Sequence, residues 1–109
     1  MADSNETLLR AILATTGRQA FSVERLTDIV LTTANSAKQL KAYNMCDGTR
    51  TQADIVKALK LDKGSFSTTV SRWEAEGVVF RFVDGKLTRP LHIYPLPPNA
   101  KRRGTSNGK

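Results

Sequence analysis

Apolar residues return at helical spacing near the start of the chain, at Leu8, Leu9, Ile12 and Leu13. With Ser4 as an N-cap and Gly17 as a stop, that spacing predicts a first helix. Ser22 opens a second periodic stretch through Val23, Leu26, Ile29 and Val30. The polar run Thr32-Thr33-Ala34-Asn35-Ser36 interrupts it, and Asn35 is placed to cap a third helix through Leu40 and Tyr43. A single helix over 22–43 is the rival expectation. Asp47-Gly48, within 44–50, is a turn signal.

Thr51-Gln52-Ala53-Asp54 is a variant capping box, with a hydroxyl at the N-cap and a carboxylate three residues on. The helix it opens, about 52–60, is expected to bury Ile55, Val56 and Leu59. It closes on Lys57 and Lys60, cations that suit a helix C-terminus. After a tight turn at Leu61, Asp62 caps another helix that runs to Glu76, and Gly77 ends it. Two short helices separated by so few residues form a helix-turn-helix candidate.

Val78 to Val83 is rich in strand formers, Asp84-Gly85 follows, and Lys86 to Arg89 resumes an extended pattern. Asp-Gly between two such runs predicts a hairpin. Pro90 bends or edges its second strand, which Leu91 to Tyr94 continues. From Pro95 onward Pro95, Pro97 and Pro98 lead into a segment with no apolar periodicity, expected to be disordered in isolation. The pattern implies an α+β fold, mainly α. Its expected divisions are a helical segment over 1–34, a domain over 35–96, and a basic tail over 97–109.

The 62–76 helix carries the most chemistry. Wound at about 100° per residue, it puts Phe66, Val70 and Trp73 on one stripe, with Thr69 at the margin. The other side presents Gly64, Ser67, Thr68, Ser71, Arg72 and Ala75, flanked by Lys63 and Ser65. Short side chains let a helix axis approach a polyanionic surface, as insertion into a major groove requires. Hydroxyls can bond phosphates or base edges, and Arg72 could pair with a phosphate or a guanine. The bland alternative is an amphipathic surface helix, although Ser and Thr are only middling helix formers.

In their order, these elements resemble the winged helix-turn-helix DNA-binding domain of bacterial and archaeal regulators of the MarR and ArsR type. The resemblance covers about 36–94, a little over half the chain. It is carried by Asp47-Gly48-Thr49-Arg50-Thr51-Gln52-Ala53-Asp54-Ile55, by Leu61-Asp62-Lys63-Gly64-Ser65-Phe66-Ser67, and by Trp73-Glu74-Ala75-Glu76-Gly77-Val78-Val79. In such regulators the first string opens the supporting helix, the second the recognition helix, and the third leads into the wing. Two departures stand out. Many members place Gly where Lys60 or Leu61 stands here, and an Arg where this chain has Thr68.

The resemblance implies a regulator of transcription that binds double-stranded DNA, with Lys63, Ser65, Ser67, Thr68, Ser71 and Arg72 facing the major groove. Arg81, Lys86 and Arg89 would line the wing against phosphate, with Arg50, Thr51 and Gln52 at the supporting helix. The hairpin's Val79, Phe80, Phe82 and Leu87 would have to pack elsewhere. A wing whose charges merely protect an edge hairpin from aggregation is the alternative. One small domain reads few base pairs, so a homodimer through the N-terminal helices is expected. The rival function is a winged helix used for protein interaction, or an architectural nucleic-acid-binding role, within a larger complex.

Charge supports a polyanionic partner and says where it would bind. The 109 residues hold 17 Lys+Arg against 10 Asp+Glu, a formal charge of +7. Residues 1–30 hold three basic and four acidic side chains, a net of −1, and 31–109 hold fourteen and six, a net of +8. The last eleven residues contribute +4, with Lys101, Arg102 and Arg103 as tail phosphate contacts. That asymmetry suggests an assembly segment followed by a polyanion-binding one.

Catalytic and metal chemistry find little footing. Cys46 is the sole cysteine and His92 the sole histidine, so no intrachain disulfide and no cysteine-based zinc site is expected. Cys46 reads as a buried small hydrophobe rather than a reactive thiol. Neither a Gly-rich phosphate loop nor a G-x-S-x-G elbow occurs, and no enzyme activity or cofactor is expected. Trp73 could stack on a base, but it lines up with Phe66 and Val70 as core. The apolar runs are too short to span a bilayer, and the first ten residues lack a basic n-region. A cytoplasmic protein, on the nucleoid when bound, is the expectation.

Overall fold

The computed structural model describes residues 2–31 and 37–101. These residues form five helices and one antiparallel two-stranded sheet, an α+β fold that is mainly helical. The helices are α1 (Ala2–Ala20), α2 (Val23–Val30), α3 (Ala37–Met45), α4 (Gln52–Leu59) and α5 (Lys63–Ala75). The strands are β1 (Val79–Asp84) and β2 (Leu87–His92).

Local capping sets most of these boundaries. The Ser22 hydroxyl accepts from the Arg25 N–H at 3.1 Å and starts α2. At Leu31 the backbone turns extended, which excludes a continuous helix over 22–43. Asn35 lies outside the described residues. Thr51 and Asp54 form the reciprocal box at the head of α4, and the Asp62 carboxylate accepts from Ser65 N–H at 2.8 Å at the head of α5. The end of α5 is a Schellman closure: Val78 N–H reaches Trp73 O and Gly77 N–H reaches Glu74 O, both at 3.0 Å. Gly77 supplies the positive φ of 83° that this closure needs.

Two expectations about α1 are corrected. Ser4 lies inside the helix rather than capping it, and Gly17 does not end it. Gly17 is buried, and a Cβ there would stand 2.8 Å from the Cβ of Ile93. The missing side chain lets α1 approach the segment after β2, so the glycine serves close packing and not a turn.

One core runs through the chain. It gathers Leu26, Val30 and Leu31 with Tyr43, Cys46, Ile55, Phe66, Val70, Trp73, Val78 and Val79, and with Ile93, Tyr94 and Leu96. The α2 residues thus share the core of everything downstream of residue 35. Tyr43 and Phe66 meet the Trp73 ring edge-on, at centroid distances of 5.6 and 6.3 Å. Leu96, the last residue of the expected 35–96 domain, is buried and held by a two-way pairing with the Asn44 amide. The Tyr43 hydroxyl donates to Tyr94 O at 2.7 Å, and the Tyr94 hydroxyl donates to Phe21 O at 2.8 Å.

The hairpin also departs from the sequence pattern. Asp84 pairs with Leu87, so the two-residue loop is Gly85-Lys86, one position beyond the Asp-Gly step. Gly85, at φ 64°, takes the left-handed position of that loop. A third backbone segment meets the other edge of β2: Asp47 bridges Leu91, Gly48 N–H reaches Pro90 O at 3.0 Å, and His92 N–H reaches Cys46 O at 2.7 Å. Pro90 O points toward Gly48, so its missing N–H falls on that side too and costs the β1–β2 ladder nothing. Tyr94, expected to continue the strand, lies beyond it.

No helix of the described residues is long and apolar enough to cross a membrane.

Candidate nucleic-acid interface

The outer side of α5 is open. Lys63, Gly64, Ser65, Ser67, Thr68 and Ser71 are all exposed, while Phe66, Val70 and Trp73 face the core. Part of the hydroxyl capacity is already used. Thr68 Oγ1 donates to Gly64 O at 3.1 Å, and Ser65 holds Asp62 through its backbone N–H and its hydroxyl. Those bonds from Ser65 keep the Asp62 carboxyl below the usual range. Among the described residues nothing requires Gly64 to lack a side chain: the nearest atom to a Cβ there is Asp62 Oδ2, at an ordinary 3.5 Å.

Arg72 does not join that face. Its Nη1 donates to Ile29 O at 2.7 Å, in the last turn of α2. A guanidinium there satisfies a terminal carbonyl and sits at the negative end of the helix dipole. Burial lowers its pKa, and its Nη2 is buried without a partner among the described residues. On the helical wheel Arg72 stands at the edge of the outward face, and its long side chain folds inward from there.

Arg81 is likewise a structural link. From β1 its Nε donates to Gln52 Oε1 at 2.8 Å and its Nη2 to Ser67 O at 2.9 Å, while its Nη1 lies 3.5 Å from Glu74. Three expected contact residues, Gln52, Ser67 and Arg81, are thereby brought together, with the Gln52 and Arg81 side chains turned toward each other and Ser67 joining through its backbone carbonyl. No local pattern in the sequence signals this triangle, because its members are far apart in the chain.

The remaining basic positions scatter around these elements. Arg50 is exposed and pairs with Asp47 at 2.8 Å. Burial raises the Asp47 pKa, but the Thr49 hydrogen bonds and the Arg50 charge outweigh it and the net shift is downward. Thr51 is spent on capping. Lys86 is exposed at the hairpin loop, Arg89 is half-buried on β2, and Lys101 is exposed. Arg102 and Arg103 lie outside the described residues. Sequence reasoning also missed Arg10, whose guanidinium sits over the Asp47-Gly48 turn, 3.2 Å from where a Gly48 Cβ would be.

The hairpin's apolar residues do not all find cover, contrary to expectation. Val79 is fully buried, but Phe80, Phe82 and Leu87 are 38–49% exposed. The register puts these three on one face of the sheet, opposite Arg81. Alternation turns Val79 and Arg81 toward the helices. On the other face Leu91 is buried beside Asp47, while Phe80 and Phe82 stay exposed. Val83, near the hairpin tip, is exposed on the Val79 face.

Elsewhere, Cys46 is buried and its thiol donates to Ala42 O, with burial pushing its pKa to about 12. The His92 ring lies 5.2 Å from the Tyr43 ring, and no group of three or more metal-ligating side chains occurs among the described residues. No protein-family model, curated protein or solved structure matches the chain.

Proposed function

We propose that residues 36–94 form a winged helix-turn-helix of the MarR and ArsR type that binds double-stranded DNA and regulates transcription. In this reading α3, the Asp47 bridge, α4, α5, β1 and β2 follow the order of that fold. The observation that carries it is the open face of α5, above all Gly64. A glycine in a helix costs stability, nothing among the described residues requires it there, and close approach to a groove wall accounts for it. Lys63 and Lys86 supply phosphate contacts on either side, Ser67, Thr68 and Ser71 face the base edges, and Arg72 and Arg81 hold the mounting. Exposed Leu8, Leu9 and Ile12 on α1 support a homodimer through that helix. Residues 1–30, at a net −1, are where two copies of a +7 chain repel least.

The test is duplex binding by fluorescence anisotropy as a function of salt. DNA binding gives a steep log–log slope, which falls by about one in Lys63→Ala and again in Lys86→Ala. Gly64→Ala gains about 0.5 kcal/mol of stability and loses DNA affinity, a pairing that a merely solvated face would not produce. Absence of binding to a random duplex pool at about 50 mM salt rejects the reading.

A second reading has its own observation. The exposed Phe80, Phe82 and Leu87 on the outer hairpin face suit a wing that docks on protein. In that case Phe82→Ser abolishes capture of a partner while Lys63→Ala does not.

A further inference from the structure

The outward face of the hairpin is more than an apolar patch. Phe80 and Phe82 stand on it two positions apart in β1, 38% and 40% exposed. Residues so spaced along a strand are about 7 Å apart, so each ring has room for its own flat partner. Cross-strand pairing sets Arg89 beside Phe82 on the same face, and Leu87 extends the apolar surface toward the exposed Lys86 at the loop. Two acids hold positions there: Asp47, paired to Arg50 at 2.8 Å, and Asp84 at the tip, two residues from Lys86.

We propose that this face binds single-stranded nucleic acid, with one unpaired base stacked on Phe80 and one on Phe82. Every base presents a π-face, and stacking on aromatic rings beside cationic side chains holds a strand without reading its sequence. Arg89 and Lys86 supply the cations for its phosphates. Charge decides the class of occupant. Residues 31–109 carry a net +8, so a polyanion gains where an apolar protein surface would have to desolvate Arg89. In a duplex the base faces are covered by their neighbours, so this site is separate from the groove contacts of α5 and does not depend on them.

The test is fluorescence anisotropy of the full-length chain with three labelled octamers: deoxyuridine, uridine, and an abasic deoxyribose strand of equal charge. The abasic strand is expected to bind about 25-fold more weakly than the deoxyuridine one, about fivefold for each lost stack, the lower end of base–aromatic stacking. Phe82→Leu, which stays apolar but removes the ring, should lose about fivefold for the deoxyuridine strand and nothing for the abasic one. The ring protons of Phe80 and Phe82 should move upfield on binding, while those of buried Phe66 stay in place. Whichever sugar binds better assigns the source, DNA or RNA, and either order supports the site. No binding to any strand at about 50 mM salt, or equal affinity for base-bearing and abasic strands, overturns the proposal. So does a folded Phe82→Leu that binds like the wild type, which would leave the face to a protein partner. If that variant does not fold, the ratio of base-bearing to abasic strand on the wild-type chain decides.

Discussion

The guanidinium of Arg81 donates to the carbonyl of Ser67 at 2.9 Å, tying the hairpin to the middle of α5. With Gln52 and Glu74 on the same side chain, one residue fixes the angle between β1, α4 and α5. Arg81→Met, which keeps the stem and removes the donors, is expected to cost about 1–2 kcal/mol in urea unfolding, in the range of a partly exposed charge-assisted network. Arg81→Lys should recover only part of that, since an ammonium cannot reproduce the planar fork.

Lys60 closes α4 at φ 55° and ψ 50°, the left-handed region, with Leu61 N–H bonded back to Val56 O. Glycine takes this position without steric cost. Lys60→Gly should therefore stabilise the protein, by about 0.5–1 kcal/mol, seen as a higher urea midpoint with an unchanged slope.

Gly17→Ala should act in the opposite direction. Alanine is the better helix former by about 1 kcal/mol, yet its Cβ would stand 2.8 Å from that of Ile93. Overpacking at a buried site typically costs about 1–3 kcal/mol, so the net change is a loss. A rise in thermal midpoint would show that α1 and Ile93 separate at no expense.

Burial lowers the pKa of His92, whose neutral ring packs on Tyr43 and whose Nδ1 is buried without a partner among the described residues. A depressed folded-state pKa means the unfolded chain takes up the proton first. The contribution is complete above the unfolded value, about 6.5, and is lost as pH falls through the folded one. The thermal midpoint should drop between about pH 7 and pH 5, and His92→Gln should flatten that dependence.

What the sequence made legible was local. The Ser22, Thr51 and Asp62 caps, the Gly77 stop and the apolar stripe of α5 each depend on residues within one or two turns, and each stands where the pattern put it. The misreadings share a different cause. Gly17 looked like a helix stop because its reason for being glycine, Ile93, is far away in the chain. Arg72 looked like a surface contact until the end of α2 came beside it, and Arg81 until Gln52 and Ser67 did. The exposed Phe80 and Phe82 follow from which hairpin face meets the helices, a choice that the period of two leaves undetermined.

The chain of hydroxyls from Tyr43 through Tyr94 to Phe21, with the Asn44 pairing to Leu96 beside it, has a kinetic meaning. These bonds join residues separated by 51 to 73 positions, contacts of the kind that a folding chain is slow to find. The helices emerging first from a ribosome have no finished surface to close on. Ile93, Tyr94 and Leu96 are the last buried residues of the core to be synthesised, so the core cannot be complete before they dock.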